Sequence, residues 1–153
     1  MNLKGITSLA IGATVAIGGA LLFVDVIPPP SQTAVAMHMC KRRVMRHAKE
    51  NDKLPNRLHD LKEIEGYDNS IEDAWGHELL YGIDTNGLVT LTSYGKDGKP
   101  GGTDKNSDMI GIFRTKREDG RWADEFDEWL KDPFKEYGKK RSKPPQSSQC
   151  PNS

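Results

Sequence analysis

Apolar and polar positions alternate in three distinct regimes along this chain. From Ile6 to Val24 there are 19 consecutive uncharged residues, ITSLAIGATVAIGGALLFV, close to the ~20 that cross a bilayer as a helix. Gly12, Gly18, Gly19 and several alanines give this run a small-residue face that lets a second helix approach. Pro28-Pro29-Pro30 follows, and proline has no N–H for a helical ladder, so the run ends there in a stiff kink. Ser31 then reads as an N-cap. From about Gln32 to Asn51, Ala34, Met37, Cys40, Val44 and Ala48 recur at spacings of three and four, which predicts an amphipathic helix. Lys41, Arg42, Arg43, Arg46 and Lys49 fall mostly off that stripe and read as a solvated face, with acidic lipid headgroups as the functional counterpart.

The middle of the chain changes period. Leu58, Leu61 and Ile64 predict a short second helix ending near Gly66. Asp73-Ala-Trp-Gly76 reads as a compact turn with an aromatic anchor. Glu78–Ile83 and Leu88–Ser93 are short β-type runs flanking Asp84-Thr-Asn-Gly87, a hairpin signal. Met109–Phe113 is apolar enough to return as a third strand. Beyond it, Trp122, Phe126, Trp129 and Leu130 fall at i, i+4, i+7 and i+8 and predict an amphipathic helix, with Phe134 and Tyr137 as further anchors. Gly138–Ser153 is rich in Lys, Ser and Pro and reads as disordered. The organisation expected is therefore a membrane anchor and proline kink (1–30), a folded body (31–113), a helical extension (114–137) and a tail (138–153).

Charge refines this picture. The 153 residues carry zero formal net charge, which gives no nucleic-acid signature. Residues 51–113 hold twelve acids against six bases, a local charge of −6. An uncleaved anchor is favoured over a signal peptide, because the apolar run is long and no small-x-small site follows it directly. The basic cluster after the span leans toward a cytoplasmic body by the positive-inside rule. The two cysteines, Cys40 and Cys150, are too few for a disulfide framework or a cysteine zinc site. Cys40 lies on the apolar stripe and reads as a buried thiol, with a bridge to Cys150 left open for an oxidising compartment.

The densest chemistry lies in Ser93-Tyr-Gly-Lys-Asp-Gly-Lys-Pro-Gly-Gly-Thr-Asp-Lys-Asn-Ser-Asp108. Glycines let this stretch fold back on itself, so that Asp97, Asp104, Asn106 and Asp108 point oxygens at one place. Converging oxygens suit calcium. The opening Asp104-Lys-Asn-Ser-Asp108 imitates an EF-hand loop, but Met109 stands where that loop needs Gly and Thr115 where it needs Glu. His38, His47, His59 and His77 form no zinc motif, no nucleophile elbow is present, and Asp124-Glu125 reads as solvated, so nothing argues for an enzyme.

Two separated blocks in order, Asp73-Ala-Trp-Gly76 and Leu88-Val-Thr-Leu-Thr-Ser-Tyr-Gly-Lys-Asp-Gly-Lys-Pro-Gly-Gly102 with its acidic end at Asp108-Met-Ile110, resemble the major pseudopilin of type II secretion systems over roughly residues 32–113. The resemblance implies an α+β, pilin-like fold: a long amino-terminal helix, membrane span then amphipathic helix, packed on a small antiparallel sheet. It also implies a calcium-binding loop. There Asp97 and Asp108 are side-chain ligands, Asn106 or Asp104 stands beside them, and the main-chain oxygens of Tyr94 and Lys99 complete the set. The span lacks the family's Gly–Phe cleavage point and early Glu, and the triple proline interrupts its continuous helix. The expectation from the resemblance, against the lean of the basic cluster, is a single-pass inner-membrane protein with its body in the periplasm or otherwise outside the cytoplasm, a structural component that associates with itself or with other secretion or pilus components. A stand-alone membrane-tethered module, using Trp122–Tyr137 as its partner surface, is the alternative.

Overall fold

The computed structural model describes residues 27–135. The expected membrane run Ile6–Val24, the tail from Gly138 and Cys150 lie outside the described residues. Among those described, the architecture is α+β: one long helix, α1 (Pro29–Asn51), and a three-stranded antiparallel sheet in the order β1 (Leu80–Ile83), β2 (Leu88–Ser93), β3 (Met109–Arg114). No described helix is long and apolar enough to cross a membrane.

Helix α1 begins three residues earlier than its apolar stripe suggests. Pro29 and Pro30 are its first helical residues, and Pro28, not Ser31, is the N-cap. A first-turn residue has no intrahelical acceptor for its N–H, so proline loses nothing there and its fixed φ suits the helix. The Pro28 carbonyl collects the N–H groups of Ser31 (2.9 Å) and Gln32 (3.1 Å). At the other end Asp52 adopts a left-handed conformation (φ 52°) and terminates the helix. Ala34, Met37, Cys40, Val44 and Ala48 are all buried, as their spacing demands.

The core lies between this stripe and the inner face of the sheet. Met37, Cys40, Val44 and Met45 meet Leu79, Val89, Leu91, Met109 and Phe113, with Leu58 and Leu61 closing one side. Strand β2 alternates strictly, with Val89, Leu91 and Ser93 inward. The β1–β2 hairpin turns through Asp84–Gly87. Asp84 Oδ1 accepts the N–H groups of Asn86 and Leu88, and Gly87 supplies the positive φ.

Two expected helices are absent. Leu58, Leu61 and Ile64 are buried, but they sit on one 3-10 turn (Leu58–Asp60) followed by extended chain. The reason lies on α1. The Arg43 guanidinium takes the carbonyls of Leu61 (3.0 Å) and Lys62 (3.0 Å) within the expected helix and of Asn69 (2.7 Å) beyond it, which holds this segment in an extended path. The Asn69 side chain binds both the N–H and the carbonyl of Ile64.

The stretch expected as an amphipathic helix from Trp122 is instead a strap, residues 115–131. It turns at 117–121, runs back along β3 and pairs Lys131 with Ile112. Asp119, Asp124 and Asp132 each cap a backbone N–H two residues on, offering the chain an alternative to helix. Trp122 and Trp129 turn inward to different partners, while Phe126 and Leu130 stay exposed, so the four do not form one stripe.

Candidate metal-binding loop

Residues 94–108 leave β2 and return to β3 as two arms pressed together. Lys96 N–H donates to the Lys105 carbonyl (2.9 Å), and Gly101 N–H donates to both Asp108 oxygens (2.9 and 3.0 Å). Gly95 and Gly102 lie directly on the backbone around Asn106, where a Cβ would collide with main-chain atoms, and both have positive φ. Glycine is required at these two positions by space and by conformation together.

The expected ligands fall on these arms. Asp97 Oδ1 accepts Lys99 N–H (3.2 Å) in a tight turn on the exposed first arm. Asp104 opens a 3-10 turn (Asp104–Asn106) with a left-handed backbone (φ 51°). Asn106 is packed beneath Gly102, and Asp108 is drawn to the first arm through Gly101. Tyr94 and Lys99 bracket the first turn. All six donors are hard oxygens on one closed loop, which is the donor chemistry calcium takes. Among the described residues, no group of three or more His, Cys, Asp or Glu side chains is gathered for a metal.

Asp73, by its sequence one member of a compact turn, organises the root of this loop. The Asp73 side chain has no exposed surface. Its Oδ1 accepts the N–H groups of Trp75 (2.9 Å) and His77 (3.0 Å), and its Oδ2 accepts the Ser93 hydroxyl (2.6 Å). Ser93 Oγ in turn accepts Gly95 N–H (3.1 Å), and the His77 ring nitrogen Nδ1 lies 3.1 Å from the Gly95 carbonyl. The Asp-Ala-Trp-Gly turn is thus the anchor to which the loop's first glycine is tied. The turn motif carried the only sequence signal for this, because Ser93 is 20 positions away.

Residues 44–112 match the family model described as type II secretion system (T2SS), protein G. Over this segment the chain is similar to the type II secretion protein G family. The match runs from the second half of α1 through the Asp73 turn, the hairpin and the loop into β3. The family is one of pseudopilin-type secretion components, structural rather than enzymatic. It implies association with other secretion components or with itself, at the cell envelope. No curated protein matches the chain, and no solved structure does. The strap lies outside the matched segment.

The strap is bound to α1 by the basic residues that sequence alone had assigned to solvent. Lys41 and Arg43 are buried. The Lys41 ammonium donates to the carbonyls of Glu125 and Asp127 and sits against the rings of Phe113 and Trp129. Burial pulls its pKa down, and Asp127 opposes that shift. Asp124 and Glu125 are not merely solvated: Glu125 pairs with Arg42 (3.3 Å) and Arg46 (3.6 Å), and Asp124 with Lys49 (3.1 Å). Cys40 is buried as expected, and burial pushes its thiol up to about 11.

Proposed function

We propose that this chain is a membrane-anchored, pseudopilin-like structural component of a type II secretion or pilus-type machine. Its apolar run Ile6–Val24 would anchor it in the inner membrane, and its pilin-like body would stand in the periplasm. The observation that carries the reading is the family match over residues 44–112. The long helix on a small antiparallel sheet is compatible with it. Calcium would be held by Asp97 and Asp108, with Asn106 or Asp104 and the main-chain oxygens of Tyr94 and Lys99, and would offset the repulsion between the carboxylates it gathers. A ligand that binds only the folded state stabilises it by mass action.

In-membrane cross-linking of the full-length chain tests the assembly role. A ladder of self-contacts or adducts to further secretion components supports it; a single heterologous partner of another kind, with no ladder, rejects it. Calcium is tested separately on the full-length chain in detergent. Chelation should lower the melting temperature, and Asp97→Ala should remove that shift; identical melting with and without chelator rejects the site while leaving the assembly role standing. The second reading, a membrane-tethered binding module, is favoured by one observation: Phe126, Leu130 and Phe134 are exposed on the part of the chain outside the family match.

A further inference from the structure

The strap meets the body at one side chain that ties three elements together. The Trp129 indole lies across Gly111 of β3, so close that a Cβ there would run into its six-membered ring. It packs edge-on against Phe113 (centroids 5.3 Å) and His38 (5.1 Å). Its N–H donates to His38 Nδ1 at 3.1 Å. An indole nitrogen can only donate, so His38 Nδ1 must accept, and the ring must be the neutral tautomer protonated on Nε2. Directly beyond Trp129, the N–H groups of Leu130 (2.8 Å) and Lys131 (3.1 Å) donate to the Ile112 carbonyl, and Ile112 N–H donates to the Lys131 carbonyl (3.0 Å). These bonds occupy the outer edge of β3, the kind of edge that otherwise invites strand addition.

We propose that the His38–Trp129 contact is an acid-sensitive latch: protonation of His38 loosens the strap from the outer edge of β3. Adding a proton to Nδ1 turns the acceptor into a donor facing another donor. The His38 ring keeps an exposed edge, and the charges around it are mixed. His38 lines a cavity of about 310 Å³ together with Lys41 and Arg42 of α1. From the strap side, Glu125, Asp127, Glu128 and Asp132 face the same cavity, as does Lys135. Burial lowers the His38 pKa below its ordinary 6.5, Asp132 opposes this and Lys41 adds to it. A histidine held neutral in the closed state stabilises closure fully above its ordinary value, and that stability drains away as pH falls below it. His59 lies beside Glu78 and His77 beside Asp73, neither in contact with Trp129.

The test is amide hydrogen exchange on the full-length chain in detergent between pH 8 and pH 5, with each amide's protection corrected for its intrinsic rate. Protection at Ile112, Leu130 and Lys131 should fall below pH 6.5 by up to about thirtyfold at pH 5, the ceiling set by an ordinary imidazole. Amides within β1 and β2 should keep theirs. His38→Asn places a non-titrating oxygen where Nδ1 stood and should flatten the profile while keeping the strap closed. Trp129→Phe keeps a ring in the Gly111 notch without the N–H and should shrink the dependence; it decides the matter if His38→Asn does not fold. A flat wild-type profile, an equal loss across the whole sheet, or an unchanged acid loss in the variants overturns the latch.

Discussion

Three donors converge on the Asp73 carboxylate, and none has another acceptor of comparable geometry. Removing the acceptor leaves buried donors without partners, which costs more than the bonds contribute. Asp73→Ala should therefore lose roughly 3 kcal/mol in urea unfolding. Asp73→Asn keeps an oxygen for the Trp75 and His77 N–H groups and should lose distinctly less; equal losses would mean that charge, not acceptance, matters. Gly111 is a different kind of residue. Its backbone needs no special conformation, and only the Trp129 ring forbids a side chain. Gly111→Ala should destabilise by roughly 1–3 kcal/mol as overpacking does, with exchange at Leu130 and Lys131 rising first. Cys40 adds a chemical readout. With its thiol held up near 11 inside the core, it should resist Ellman's reagent at pH 8 in the native chain and react on unfolding.

The elements show how far a local pattern is obeyed. The α1 stripe and the β2 alternation are strong periodic signals, and both appear where their residues put them. The start of α1 is set by the prolines. Ser31→Ala should thus change stability by less than about 0.5 kcal/mol, whereas a true N-cap loss costs about 1 kcal/mol. Thermal unfolding separates the two. The helix expected from Trp122 had correct spacing and still failed to form. Its aspartates bond their own backbone, and its carbonyls at Glu125 and Asp127 are claimed by Lys41, 84 and 86 residues away. The helix expected from Leu58 to near Gly66 meets the same competition, with Arg43 binding its carbonyls. A buried cation on one helix can hold a neighbouring segment in an extended path by binding its carbonyls.

At the scale of the molecule, α1 serves as a spine that holds the family-matched body on its apolar stripe and the strap on its basic side. Two weak acids, the buried Cys40 thiol pushed up to about 11 and the half-buried Tyr81 hydroxyl pushed up to about 12, are both raised by desolvation. Each ionises earlier in the unfolded chain, so their stabilisation is intact below pH 9 and fades as pH climbs through their native values. The urea midpoint should fall steadily between pH 9 and 11, and less so in Cys40→Ala. The apolar stripe of α1, the hairpin, the third strand and the glycine-punctuated loop are all legible along the chain, because each is written in residues close in sequence. The places of Lys41 and Arg43, the anchoring of the loop by Asp73 and the closing of Trp129 over Gly111 emerge only when the chain is folded. Those depend on groups tens of residues apart meeting in space, where one side chain's hydrogen bonds overrule another segment's local preference.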